Sequence, residues 1–170
     1  MTVVNLQINM DDLPAAGELP MEPMAEAYEQ EVKVQQMIIW TPLLLASFVP
    51  FLAAQFLPLL LIPALVVILA AIIVPLLIRK TKVKGIALRE HDIAYRSGLY
   101  WKKTVLLPFN RVQHAEVSSG PLQRKYGLAS LKFFTAGGSS VDLRVDGLMR
   151  ERAEAIRSVI MKKVSNPVIQ

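Results

Sequence analysis

The sequence predicts an α+β membrane protein: a two-helix transmembrane hairpin, then an antiparallel β-sandwich or open barrel, then one amphipathic C-terminal helix. Three observations carry that prediction. Between Lys33 and Arg79 lie 45 residues without a single Asp, Glu, Lys, Arg or His, which no helix in a water-soluble core needs. From Ile86 onward apolar residues recur with period two, in short runs divided by glycine and proline. Toward the C-terminus the period becomes 3.6.

The segment before the uncharged run is acidic. Its first 36 residues carry Asp11, Asp12, Glu18, Glu22, Glu26, Glu29 and Glu31 against Lys33, a balance of −6. With Pro14, Pro20 and Pro23 among these acids, residues 1–35 are expected to form a largely flexible tail, holding at most a short helix from about Met24 to Gln36. A secretory signal would show a basic start and a short apolar core at the N-terminus, and the chain shows neither.

One helix across the uncharged run would measure about 67 Å, roughly twice the hydrocarbon thickness of a bilayer, so the run must fold back. AAQFLP, residues 53–58, is the expected reversal: Gln55 breaks the apolar run with an amide and Pro58 can open a new helix. The two helices are expected at about 36–54 and 59–79. Pro42, Pro50, Pro58, Pro63 and Pro75 should kink them. Such bends accompany substrate paths in transporters, so an accessory subunit of a membrane transporter or export complex is the alternative reading. No intramembrane charge marks a path, and proline is tolerated within lipid-embedded helices, which favours two kinked anchors.

Orientation follows from RKTKVK, where Arg79, Lys80, Lys82 and Lys84 predict that this end stays in the cytoplasm. Two spans then return the N-terminus to the same side. Trp40 suits an interfacial position near the start of the first helix. Residues 79–170 carry eighteen Lys and Arg against seven acids, a balance of +11.

The module expected at 80–165, with residues 166–170 as a tail, reads as strands at 86–90, 92–97, 99–107, 111–118, 128–135 and 140–145. In SVDLRVD, Val141, Leu143 and Val145 are expected to face a core, and Asp142, Arg144 and Asp146 to face water. Leu148, Met149, Ala153, Ile156, Val159 and Ile160 then form the apolar stripe of a helix, with Arg150, Glu151, Glu154 and Arg157 opposite and Asp146 as its N-cap. Asn166-Pro167 should stop it.

Several phrases carry a resemblance: P-x-N-R-V-Q-H from Pro108, G-P-L-Q-R from Gly120, G-L-A from Gly127, T-A-G-G ending at Gly138, and the helix GLMRERAEAIRSVI. Over about residues 85–160 the chain resembles the bacterial pleckstrin-homology-like (PH-like), membrane-flanking family of YdbS-like proteins, and the two preceding apolar helices fit that family's layout. The resemblance implies a seven-stranded sandwich with a C-terminal helix at the inner face of the bacterial inner membrane, both termini cytoplasmic. It also implies work beside a larger relative with several PH-like domains, roles in envelope maintenance, stress or bacteriocin resistance, and no enzymatic reaction. The acidic tail is longer than the family's usual lead-in.

Function is therefore read as scaffolding or partner binding, without a catalytic site, cofactor or metal. Zero cysteines exclude disulfides and thiolate sites. His114 and Glu116 lie two apart on a strand and share a face, but a metal needs three or four ligands. His114 and Gln113 are instead expected to tie adjacent strands by hydrogen bonds, as parts of a framework signature with Asn110, Arg111, Gly120, Pro121, Gly127, Gly137 and Gly138. Glu90-His91-Asp92 reads as a polar turn, and Gly120-Pro121 as the start of a short helical segment. The candidate lipid head-group contacts are Arg79, Lys80, Lys82 and Lys84 at the bilayer exit, and Arg96, Tyr100, Trp101, Lys102 and Lys103 around Gly98. Expected partners are membrane lipids, anionic ones among them, and a larger multi-domain membrane protein. A homo-oligomer stays open, and the dispersed basic residues do not suit nucleic acid.

Overall fold

The computed structural model describes residues 20–135 and 141–165. Helix α1 runs Glu26–Ser47 over 22 residues. It therefore begins about ten residues before the expected start near residue 36. Glu26 and Glu29 lie in its first turn, where acids favour the helix dipole, and Glu29 pairs with Lys33 one turn on at 2.7 Å. The chain breaks at Phe48 because Pro50, in the first turn of α2 (Val49–Ala54), has no N–H and would crowd the preceding turn. Gln55 ends α2 in the left-handed region, with φ 47°. A 3-10 turn, Leu57–Leu60, leads into α3, Leu61–Lys82. The reversal thus falls within 53–58. Pro42 and Pro75 sit inside helices, whereas Pro58 and Pro63 sit near starts, where a missing N–H matters least.

Helices α1 and α3 pack side by side. Each belongs to a helical stretch long and apolar enough to cross a bilayer. Their outer faces display large apolar side chains such as Leu43, Leu45 and Leu61, a continuous surface that lipid covers and water does not.

Among the described residues seven strands form two antiparallel sheets. The first holds β1 (Glu22–Pro23), β2 (Gly85–Leu88), β3 (Asp92–Ser97) and β4 (Lys103–Pro108), in that order. The second holds β5 (Val112–Ser118), β6 (Leu128–Thr135) and β7 (Leu143–Met149), with the short helix α4 (Pro121–Lys125) between β5 and β6. Among the described residues no closed barrel forms. One core joins Ile93, Tyr95 and Leu107 of the first sheet to Leu131, Phe133 and Val145 of the second and to Ala153, Ile156 and Ile160 of the C-terminal helix α5 (Arg150–Ser165).

Three expectations change at β7. Leu148 and Met149 belong to the strand and not to the helix, because they pair with Ala129 and Leu128. Helix α5 starts only at Arg150, whose N–H donates to the Gly127 carbonyl at 2.9 Å. Asp146 is therefore no N-cap and does not face open water. It is half-buried in the strand, where its Oδ1 accepts from Ser130 Oγ at 2.6 Å and Arg144 Nε at 2.7 Å. Val141 and Val159 are exposed, while Leu143 and Val145 are buried as expected.

The early start of α1 has a packing cause. Met24 and Tyr28 enter the core of the β-domain. Ala25 N–H donates to the Gly147 carbonyl at 3.0 Å. Gly147 has φ +84°, and a Cβ there would lie 2.4 Å from Tyr28 Cδ1, so only glycine permits the ring to settle. Strand β1 adds to the sheet edge through Glu22↔Ile86 and Pro23↔Gly85, and Arg152 Nη2 reaches both carboxylate oxygens of Glu22, at 2.8 and 3.0 Å. What was expected to be flexible tail is, from residue 21, part of the folded domain; residues 1–19 lie outside the described residues.

Two predictions follow from this packing. Gly147→Ala forces a strained φ, costing about 1–3 kcal/mol from the backbone alone, and displaces Tyr28. The thermal midpoint of the detergent-solubilised protein should fall by at least about 4 °C; Gly120→Ala, whose Cβ would meet only Gln123 at 3.9 Å, should scarcely move it. For Asp146, burial pushes the carboxyl up, but its bonds from Ser130 and Arg144 and the cationic charge nearby outweigh that and hold it below its ordinary value. A depressed folded value contributes stability that is complete above the ordinary aspartate value, about 3.9, and is lost as pH falls through the folded value. Asp146→Asn should flatten the acid limb of a plot of midpoint against pH below about pH 4, leaving its slope near neutrality unchanged.

Candidate membrane-facing surface

The β3–β4 hairpin returns the chain to the level at which α3 ends. Gly85 follows Lys82 by three residues and pairs with Arg96, while Ser97 pairs with Lys103. The connecting residues therefore project past Gly85 on the side from which α3 arrives. Gly98 makes the turn, with φ +98°; a Cβ there would sit 1.9 Å from the Trp101 carbonyl oxygen. This tight crossing holds Tyr100 and Trp101 outward, 71% and 88% exposed. Lys102 and Lys103 beside them are exposed and Arg96 is half-buried. The tip thus joins two amphipathic rings to flanking cations, a combination suited to a water–lipid boundary.

The four cations at the bilayer exit divide into two pairs. Arg79 and Lys80 are exposed in the last turns of α3. Lys82 pairs with Glu29 at 3.3 Å. Lys84 turns inward, its Nζ donating to the Tyr28 hydroxyl at 2.7 Å. Lys82 and Lys84 thus join the acidic start of α1 to the junction. That role was missed in the sequence, although the opposed charges of the first 36 residues and the C-terminal half were its visible sign.

The framework residues are spread over turns and strand ends. Asn110 and Arg111 are exposed in a 3-10 turn, Phe109–Arg111, whose first N–H donates to the His91 carbonyl at 2.9 Å. Gly120 and Pro121 open α4, and Gly127 follows it with φ +67°. Gly137 and Gly138 lie outside the described residues. Gln113 and His114 flank an irregularity between Val112 and His114. Both are exposed, and among the described residues neither side chain donates or accepts a hydrogen bond, contrary to expectation; His114 lies instead beside the Phe134 ring at 5.9 Å. The bulge turns these side chains off the regular ladder. Glu116 meets Lys132 at 3.3 Å, and no group of three His, Cys, Asp or Glu able to hold a metal occurs among the described residues. Glu90 and His91 are exposed, and Asp92 engages Arg89 in the turn between β2 and β3.

Comparison with known proteins agrees with this architecture. A family model described as "Bacterial PH domain" matches residues 37–164. The "UPF0699 transmembrane protein YdbS" of Bacillus subtilis (strain 168) is 34% identical over 94 residues, covering 54% of this chain and 57% of that relative. The match therefore spans little more than half the length of that relative. No solved structure matches. The family match carries no enzyme class with it. With two bilayer-length apolar helices, seven antiparallel strands and a closing helix, the chain is a membrane protein and belongs to the bacterial PH domain family.

Proposed function

We propose that the chain is a non-enzymatic scaffold or partner subunit of the bacterial inner membrane, presenting its PH-like domain to the cytoplasmic leaflet with both termini in the cytoplasm. The observation that carries this reading is the placement of Trp101 and Tyr100, held outward by the Gly98 turn at the level where α3 ends. Each Lys or Arg near an anionic leaflet contributes about 1 kcal/mol. Arg79, Lys80, Lys102 and Lys103 together suffice to hold the hairpin tip among head groups. The domain, secured to both membrane helices, then offers its remaining surface to a larger membrane protein with several PH-like domains, in envelope maintenance or resistance to stress and bacteriocins.

The chain has two tryptophans, so Trp40→Phe leaves Trp101 as sole reporter. In nanodiscs containing lipids brominated near the head group, Trp101 emission should be strongly quenched, and more so with anionic than with neutral lipid; Lys102→Gln with Lys103→Gln should remove that difference. Emission equal to that in unbrominated discs would discard the head-group contact. Orientation is checked separately. A phosphatase reporter active only outside the cytoplasm, fused after Gln170, should stay silent, and activity would reverse the topology. Mild-detergent purification should carry along the larger membrane protein, and persistently partner-free material would refute the scaffold role.

A further inference from the structure

A second feature lies where the first turns of α1 meet the β-domain. A cavity of about 520 Å³ opens between the first turns of α1, helix α4 and the strands β6 and β7. That volume suits a small organic group, and a bare ion would occupy little of it. Its wall is a connected polar network. Gln123 Nε2 donates to Ser130 Oγ at 3.0 Å, Ser130 Oγ donates to Asp146 Oδ1 at 2.6 Å, and Arg144 Nε donates to the same oxygen at 2.7 Å. Lys132, on the rim, meets Glu116 at 3.3 Å. Both cations of the wall therefore already have a carboxylate.

Glu31 has no such partner. It is only 7% exposed, lines the cavity from α1, and makes no hydrogen bond or ion pair among the described residues. Its oxygens are not sealed in protein, since the described residues hold no enclosed side-chain oxygen without a partner; they open into the cavity. Lys84, whose charge reaches Glu31, directs an N–H to the Tyr28 hydroxyl and makes no hydrogen bond to Glu31. A largely covered carboxylate that meets solvent only through the cavity and has no protein donor is favoured by a ligand that brings one. Asp146 Oδ2 is likewise without a hydrogen bond among the described residues. Glu31 and one oxygen of Asp146 thus border this space without a hydrogen-bond donor among the described residues.

What fits is a compact cation with several N–H donors. Arg144 uses only Nε on Asp146, which leaves its terminal nitrogens, with Lys132 in the same lining, to take an anion. Gln35 lines the cavity two residues before the apolar residues that begin at Met37, which, with the helices in a bilayer, puts the opening at head-group depth. We propose that this cavity binds a phosphoethanolamine group, its primary ammonium on Glu31 and the free oxygen of Asp146, its phosphate on Arg144 and Lys132. A trimethylated ammonium has no N–H to donate to either carboxylate. The source is an aminophospholipid of the surrounding leaflet or a soluble phosphoethanolamine. The inference rests on the membrane placement of the helices and not on the hairpin tip, so an unquenched Trp101 leaves it intact.

The test uses the full chain in nanodiscs of phosphatidylcholine alone or with phosphatidylethanolamine, in chelator-containing buffer, with the thermal midpoint as readout. The wild-type midpoint should rise by about 5–10 °C with phosphatidylethanolamine, and Glu31→Gln should abolish that increment whatever its own baseline. Lys132→Gln, on the half-buried rim, should reduce the increment and serves if Glu31→Gln does not fold. Soluble phosphoethanolamine added to phosphatidylcholine discs separates the sources: a matching rise assigns the free compound, and no rise assigns the lipid. The proposal is overturned if neither form of phosphoethanolamine raises the wild-type midpoint, if the increment survives both substitutions, or if magnesium without chelator reproduces the whole rise in phosphatidylcholine discs.

Discussion

Tyr28 occupies the space that a side chain at position 147 would need, and much of the molecule depends on that contact. Because the ring lies against a glycine in the left-handed region, the first turns of α1 approach β7 closely enough for Ala25 to bond the Gly147 carbonyl. Strand β1 is then positioned to pair with β2, and Glu22 to meet Arg152. The phenol hydroxyl accepts from Lys84, drawing the end of α3 to the same point. A single aromatic ring thus joins both membrane helices to the β-domain.

Electrostatics reinforces this junction without supplying most of its strength. Glu29 with Lys82 and Glu22 with Arg152 are solvent-accessible pairs, and such pairs contribute little each. Their greater effect is on which surfaces meet: the acidic segment before α1 is steered to the basic half after α3, and like charges disfavour other arrangements. The apolar burial of Met24 and Tyr28 then supplies the main stabilisation. Arg79 and Lys80, together with the Lys102 and Lys103 pair, stay outside this complementarity.

The membrane hairpin was legible because its signals are strong and local: a 45-residue absence of charge, a length requiring reversal, and Gln55 with Pro58 to mark the bend. Most strand positions were legible from period two, as was the α4 segment after Gly120, but the strand expected at 99–107 begins only at Lys103, because residues 98–102 make the Gly98 turn. The ends of β7 and α5 were not. Leu148 and Met149 fit a helical stripe and a strand equally well, and only pairing with β6 decides between them. The N-terminal contribution was hidden for a similar reason, since a two-residue strand such as Glu22–Pro23 has no periodicity to detect. The tip residues Tyr100 and Trp101 could be singled out by type, but their common level with the end of α3 required the β2–β3 register. The polar cavity was invisible in the sequence, as Glu31 is separated from Ser130 and Asp146 by the whole membrane hairpin.

Attachment at two points has a geometric outcome. A domain on one flexible stalk can swivel about the membrane normal and show any side to its neighbours. Here α1 enters through Tyr28 while α3 leaves through Lys84, so rotation of the β-domain alone would require both connections to shear. Its azimuth is locked to that of the helix pair, and a binding protein diffusing in the same leaflet would meet the same face at each encounter, whichever way the molecule turns as a whole.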